Sequence, residues 1–259
     1  MVKVDPHRVA EIIRSTAEEV ILPRFCCLTS GQVKEKGPGD LVTIADTEAE
    51  QLLTRRLTEL LPGSLVVGEE SVAADAKVLD RLSGEAPVWI IDPVDGTRNF
   101  AHGRPKFAVI VALVARGKTV QGWIHDPLEH QTYVAEQGAG CHDQQGTRLT
   151  VAAAPAQLSE LRGSIGNRKM DAVANAVAKM VRQGSAAHDY IDLILGRLHF
   201  TYYKRLRPWD HAAGILMHAE AGGVSRLFNG EPYRPVYTEQ AILMAPDADS
   251  WERIRALFP

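Results

Sequence analysis

One stretch, Trp89 to Phe100 (WIIDPVDGTRNF), constrains the fold more than any other. Trp89, Ile90 and Ile91 make a short apolar run of the kind that forms a buried strand, and Pro93 ends it because proline has no N–H to give the ladder. The strand therefore stops on an acid, Asp92. A second acid, Asp95, follows three residues on, just before Gly96 and Thr97. Carboxylates on a tight turn gather metal ions, and the free backbone N–H groups after them gather phosphate oxygens. A second apolar run, Leu65 to Val67, ends in the same way at Gly68, Glu69 and Glu70. If the two strands are neighbours in a sheet, Glu69, Asp92 and Asp95 surround one crevice at its edge.

The rest of the chain supplies α/β layers around that edge. Asp5-Pro6 predicts a capped helix with Val9, Ile12, Ile13, Ala17, Val20 and Ile21 on one face. Lys34 to Gly39 (KEKGPG) predicts a mobile, turn-rich loop. A second helix runs from Thr43 to Leu61 and stops at Pro62-Gly63. Its first turn holds Asp46 and Glu48; the helix dipole accounts for Glu48, and Asp46 stays open. Strands are expected over Phe107–Val114, Val120–Ile124, Tyr133–Ala135 and Arg148–Val151. Helical patterns then cover Met170–Arg182 and Tyr190–Leu198, with the small-residue run Gly184 to Ala187 between them. Trp209-Asp210 opens a last long helix that ends at Gly222-Gly223, where Gly214 predicts a close approach of backbones. The texture changes near residue 150, so the expected organisation is an N-terminal α+β lobe (1–150) and a C-terminal α/β lobe (151–259), broadly joined.

Composition narrows the partners. With 259 residues and a formal charge of −3, the chain lacks the basic excess that would hold nucleic acid. No run reaches the roughly 18 apolar residues of a membrane span, and the N-terminus has no signal-peptide core. Cys26, Cys27 and Cys141 are odd in number and show no CxxC spacing, which fits a reducing cytoplasm. A small molecule is the expected partner. Asp210, read by itself, is a helix N-cap. Together, Glu69, Asp92, Asp95 and Asp210 would repel one another unless cations lay between them, and oxygen ligands of this kind suit Mg²⁺. Two or more such ions acting on a phosphate ester describe phosphate hydrolysis.

At this point three blocks carry a resemblance. Gly68-Glu69-Glu70, then Trp89 to Phe100 against W-I-[IV]-D-P-[IL]-D-G-T-x-N-[FY], then Trp209 to Gly223 against W-D-x-A-[AG]-x-x-[IL]-x-x-E-A-G-G occur in order, with Asp40 to Thr43 upstream. The sequence resembles the inositol monophosphatase family, among the lithium-sensitive, Mg²⁺-dependent phosphatases that include fructose-1,6-bisphosphatase-like enzymes. That resemblance implies a layered αβαβα sandwich and a homodimer. It implies two or three Mg²⁺ ions held by Glu69, Asp92, the carbonyl of Val94, Asp95 and Asp210. It makes Thr97, with Glu69, the group that orients or activates the attacking water, and Asp46 the acid that hydrogen-bonds this threonine. The N–H groups of Gly96 and Thr97 would hold phosphate, Asp95 and Asp210 would face substrate as well as metal, and Lys36 would ride on a mobile loop closing over the site.

Two departures bear on substrate. Where animal members carry a glutamate for inositol hydroxyls, this chain has Tyr202 to Pro208, with Lys204, Arg205 and Arg207. These cations either contact a second anionic group on the substrate or form a solvated basic turn. The run ending in Ala187 lines the family's substrate pocket, and His188 after it replaces an apolar residue; it is either a substrate contact or a hydrogen-bonded core histidine. The expected substrate is an inositol-1-phosphate-like sugar or polyol phosphate. Fructose 1,6-bisphosphate, histidinol phosphate and adenosine 3′,5′-bisphosphate are alternatives, and a non-catalytic metal-binding regulatory protein is the rival from another class.

Overall fold

The computed structural model describes residues 2–37, 39–166 and 170–258. Helix α1 (Pro6–Thr16) begins where Asp5 accepts a hydrogen bond from the His7 N–H, and the chain continues in a looser turn to Ile21. Strands β1 (Val33–Gly37) and β2 (Asp40–Thr43) pair antiparallel. The expected loop from Lys34 to Gly39 is thus mainly a β-hairpin arm, and Pro38 lies outside the described residues. Thr43 caps α2 (Ile44–Leu60) reciprocally: its side chain accepts from the Ala45 N–H, and Asp46 accepts from the Thr43 N–H.

Strands β3 (Leu65–Gly68), β4 (Val88–Asp95), β5 (Ala108–Ala115), β6 (Lys118–Asp126), β7 (Gln131–Glu136), β8 (Gly140–Asp143) and β9 (Arg148–Leu149) form one sheet in sequence order. Only the β3–β4 pair is parallel. Short helices α3 (Glu69–Ala74) and α4 (Thr97–Ala101) leave the ends of β3 and β4. The second sheet contains β10 (Arg162–Ser164), β11 (Lys179–Val181), β12 (Phe200–Leu206), β13 (Val224–Leu227) and β14 (Thr238–Ala245), in the order β11-β10-β12-β14-β13. Helices α5 (Asp171–Ala176), α6 (Ala186–Ile194), α7 (Pro208–Glu220) and α8 (Ala248–Arg255) complete the fold.

Burial on alternate sides of β4 organises the layers. Trp89 and Ile91 pack with Val9, Ile13, Leu53 and Leu57 of α1 and α2. Val88 and Ile90 face the other way, toward Tyr190 and Ile194 of α6, Trp209 and Ala213 of α7, and Ile242 and Met244 of the second sheet. The outer face of that sheet, through Phe200, Tyr202 and Leu243, packs on Val173 of α5 and on Trp251 and Ile254 of α8. The succession is helix, sheet, helix, sheet, helix, the expected layered sandwich.

Several expected elements differ in detail. The helix over Met170–Arg182 ends at Ala176, because Lys179–Val181 pairs in parallel with Arg162–Ser164 as an edge strand. The helix over Tyr190–Leu198 begins earlier, at Ala186, where Ser185 caps it, and it ends at Ile194. The expected basic turn is the end of β12: Lys204 pairs with Ala241, and the ladder is irregular between Lys204 and Leu206, where Arg205 has φ +68°.

Candidate functional site

Parallel pairing of Gly68 with Ile91 delivers the C-terminal ends of β3 and β4 side by side. Glu69 follows at once at the start of α3. Between Asp92, paired with Ile110, and Asp95, paired with Ala108, β4 carries one residue more than its partner strand. A bulge of this kind re-aims side chains next to sites. Gly96 then turns the chain with φ +86°, and a Cβ there would lie 2.7 Å from the Lys106 carbonyl oxygen.

Asp92 is 2 % exposed, and Asp95 and Glu69 are each 8 % exposed. Burial, then the charges of Glu69, Asp95 and Asp210, pushes the Asp92 carboxyl well above its ordinary value. Burial, then Glu69 and Asp95, does the same to Asp210 at the start of α7. Burial also raises Asp95, against the hydrogen bonds that favour its charge. Four acids gathered in one place, with Asp92 and Asp210 held up by burial and by the charges of their neighbours, make a seat for cations.

Lysine answers part of that charge. Lys36 Nζ, on β1, donates to Glu69 Oε1 at 2.8 Å and to Glu70 Oε1 at 2.9 Å. Burial opposes the Lys36 charge, but Glu69 and Glu70 raise its pKa above the ordinary value. Burial pushes Glu70 up to about 7 despite that partner. As the side chains stand, no three acidic, histidine or cysteine groups among the described residues close on a common point. Lys36 holds Glu69, and donors from α6 hold Asp95. The crowded, largely buried donor set of carboxylates still fits a hard divalent cation.

Thr97 Oγ1 lies 3.1 Å from Asp46 Oδ1 and 3.0 Å from the Val94 carbonyl oxygen. Both are acceptors for its single proton, which leaves the oxygen's lone pairs to accept from a water. Asp46, fully buried on α2, is pushed up to about 6 by burial. The open question about Asp46 is answered by geometry: it caps α2 through Thr43 and holds Thr97.

Beside these acids a cleft of about 350 Å³ is lined by Asp95, Ser185, Asp189, Tyr203, Lys204 and Asp210, among others. Lys204 reaches this cleft; Arg205, exposed at the irregular point of β12, is not among its lining residues. Arg207 does not line the cleft; it lies 3.5 Å from Asp40 and over the Trp209 ring, and against burial the charges of Asp210, Asp40 and Glu69 raise its pKa. Of the two readings of His188, the geometry matches the hydrogen-bonded core histidine, and the Ala187 side chain is not placed as the expected substrate contact. The Ala187 side chain belongs to the apolar core, and its N–H donates to Asp95 Oδ2 at 2.8 Å. His188 is 2 % exposed, with Nδ1 2.9 Å from Ser185 Oγ and Nε2 3.0 Å from Asp126 Oδ2, so neither ring nitrogen is left for a ligand.

Other residues of the site carried no sequence signal of their own. Glu50 accepts from the Glu70 N–H at 2.7 Å and the Ser71 N–H at 2.8 Å, so it fixes the start of α3 and with it Glu69. Its carboxyl fills the space beside Gly68, where a Cβ would lie 2.2 Å from Glu50 Cδ. The one available hint was its spacing of four residues from Asp46, which puts both acids on one face of α2. Asp189 Oδ2 accepts from Ser164 Oγ at 2.8 Å and from the Tyr203 hydroxyl, and burial pushes this acid up to about 7.

Comparison with known proteins identifies the family and the fold. A model of the inositol monophosphatase family matches residues 5–258. The chain is similar to a Thermotoga maritima protein named fructose-1,6-bisphosphatase/inositol-1-monophosphatase, with 34% identity over 76% of this chain and 75% of that one. It is also similar to the inositol-1-monophosphatase of Bacillus subtilis, with 33% identity over 77% of each chain. Among solved structures, the extragenic suppressor protein SuhB of Bartonella henselae superposes with a TM-score of 0.83 at 29% identity, covering 97% of this chain and 98% of that one.

Proposed function

Because the chain belongs to the inositol monophosphatase family, we propose that it hydrolyses a small phosphate monoester with Mg²⁺ by direct attack of water. The observation that supports this most is the meeting of Glu69, Asp92, Asp95 and Asp210, whose burial and mutual repulsion raise Asp92 and Asp210. Glu69, Asp92, the Val94 carbonyl, Asp95 and Asp210 would hold two or three ions. Bound there, Mg²⁺ would supply positive charge to the phosphate and lower the pKa of water at the site.

The chain's own groups do the rest. Gly96 and Thr97 offer backbone N–H groups to the phosphate at the start of α4. Thr97 Oγ1, its proton committed to Asp46 or Val94, accepts from the attacking water and sets its direction. Glu69 takes the water's proton. Lys36 donates to Oε1 of that carboxylate and fixes its orientation. Asp46 keeps Thr97 in place from a position fixed by the α2 cap.

A polyol or sugar monophosphate accords with the relatives' names. Lys204 favours a second reading, a substrate with a further anionic group such as a sugar bisphosphate, because it puts a cation on the cleft wall. Lithium inhibition, a cytoplasmic location and a homodimer go with the same family premise. The test is phosphate release from inositol 1-phosphate, fructose 1,6-bisphosphate, histidinol phosphate and adenosine 3′,5′-bisphosphate, measured with Mg²⁺, without it and with added Li⁺. Release that needs Mg²⁺ and falls with Li⁺ is expected. No release from a wide panel of esters would overturn the proposal in favour of a binding-only protein.

A further inference from the structure

A buried chain of hydrogen bonds runs into Asp95 from the far side of α6. Asp95 Oδ1 accepts from the Ala186 N–H at 3.1 Å; Oδ2 accepts from the Ala187 N–H at 2.8 Å and from the Ser185 hydroxyl. Ser185 Oγ meets His188 Nδ1 at 2.9 Å, and His188 Nε2 meets Asp126 Oδ2 at 3.0 Å. Asp126, at the end of β6, is itself fixed through Oδ1 by the N–H groups of Leu128 and Glu129. Asp126, His188, Ser185 and Asp95 are all at least nine-tenths buried, so water does not compete for these bonds.

Counting protons gives the chain a direction. An ionised carboxylate only accepts, so the single Ser185 proton goes to Asp95. Ser185 Oγ then accepts from the His188 backbone N–H at 3.2 Å and from the ring at Nδ1, and Nε2 lies against the Asp126 carboxylate. An ionised carboxylate has about four lone-pair sites; the Ser185 and Ala187 donors fill those of Oδ2, and Ala186 takes one on Oδ1. One site, on Oδ1, is left for a cation.

We infer that Asp126, His188 and Ser185 form a positioning relay that holds Asp95 to ligation of a divalent cation through Oδ1 alone. His188 touches neither substrate nor metal; it acts through Ser185. This inference rests on the Mg²⁺-dependent reading of the site. Its consequence is a split: loss of the relay weakens Mg²⁺ binding and lowers kcat, while KM for the ester stays close to its original value.

The test uses the full chain and titrates Mg²⁺ alone by calorimetry, with circular dichroism to verify folding and steady-state kinetics alongside. His188→Leu, which keeps an apolar side chain of similar reach, is expected to weaken Mg²⁺ binding about 10- to 100-fold. His188→Asn can still donate to Ser185 from the place of Nδ1 and is expected to recover most of the affinity. His188→Gln, whose amide lies at the reach of Nε2, is expected not to. Ser185→Ala breaks the same chain with the loss of one hydroxyl and carries the same expectation if His188→Leu does not fold. Wild-type affinity in the folded His188→Leu or Ser185→Ala protein overturns the relay while leaving the phosphatase reading intact. Wild-type protein that takes up no Mg²⁺ overturns both.

Discussion

Gly96 shows how much of the site hangs on one residue. Its φ of +86° costs an L-residue about 1–2 kcal/mol, and an added Cβ would meet the Lys106 carbonyl at 2.7 Å. Gly96→Ala is therefore expected to lower stability by at least about 2 kcal/mol, once that overlap is added, and to cut turnover by shifting Asp95 against Thr97; chemical denaturation and phosphate release measure the two effects. Lys204 and Arg205 make a sharper pair. Only Lys204 lines the cleft, so Lys204→Met is expected to lower activity on bisphosphates relative to monophosphates, and Arg205→Met to leave that ratio unchanged. An equal effect of both would point to a general field of positive charge. The acids at strand ends were legible in the sequence because an apolar run that stops on Asp or Glu carries its own signal. Glu50, Ser185 and Asp126 were not, since the partners of Ser185 and Asp126 lie 90 and 62 residues away from them in the chain.

Elements are where local pattern and tertiary packing part company. The period of α2 and the apolar runs of β3, β5 and β6 decided those elements from sequence alone, whereas β4 does not stop at Asp92 but runs on past Pro93 to Asp95 through a bulge. Local pattern did not decide residues 177–182, because an edge strand gains its partner, Arg162–Ser164, only after the second sheet forms. Gly214 is an instructive half-success. The glycine does mark a close approach, but it is to the Tyr190 ring of α6, with Cδ2 2.1 Å from where a Cβ would lie. The backbone approach occurs one residue earlier, where a Cβ on Gly122 of β6 would lie 2.9 Å from Ala213 Cα. Since α7 carries Asp210 and α6 holds Asp95, the α6–α7 contact sets the distance between two of the acids. Gly214→Ala is expected to cost about 1–3 kcal/mol by overpacking, which corresponds to a Tm lower by about 2–10 °C for a chain of this size. An unchanged Tm would mean that Tyr190 turns aside freely.

At the scale of the molecule, the central apolar cluster draws on both proposed lobes, from Val67 and Ile110 to Trp209 and Met244. One cooperative unfolding transition is expected despite a division near residue 150. The site lies where those halves meet, so a bound cation would tie them together. Its effect depends on pH with a definite sign. Asp46 at about 6 and Glu70 at about 7, with Asp92 and Asp210 well raised, keep protons that the unfolded chain has already lost. Without metal, their contribution to stability is complete below the ordinary carboxylate range; the Asp46 and Glu70 parts are lost as pH rises through about 6 and about 7, and the Asp92 and Asp210 parts as pH rises through their own raised values. His125, lowered by burial to about 4, and His218, lowered by burial to about 3, oppose this, since their contribution is lost as pH falls. A bare stability profile therefore mixes the two. The difference with and without Mg²⁺ largely cancels the histidines and isolates the ligand acids, among them Asp92 and Asp210, which must lose protons to bind it. The gain from Mg²⁺ is expected to be small at pH 5 and to reach about 2.7 kcal/mol at pH 8 with Mg²⁺ at 100 times its Kd, a rise of about 5–10 °C in Tm. A gain larger at pH 5 than at pH 8, read by calorimetric melting, would mean that these carboxylates are not where the cation sits.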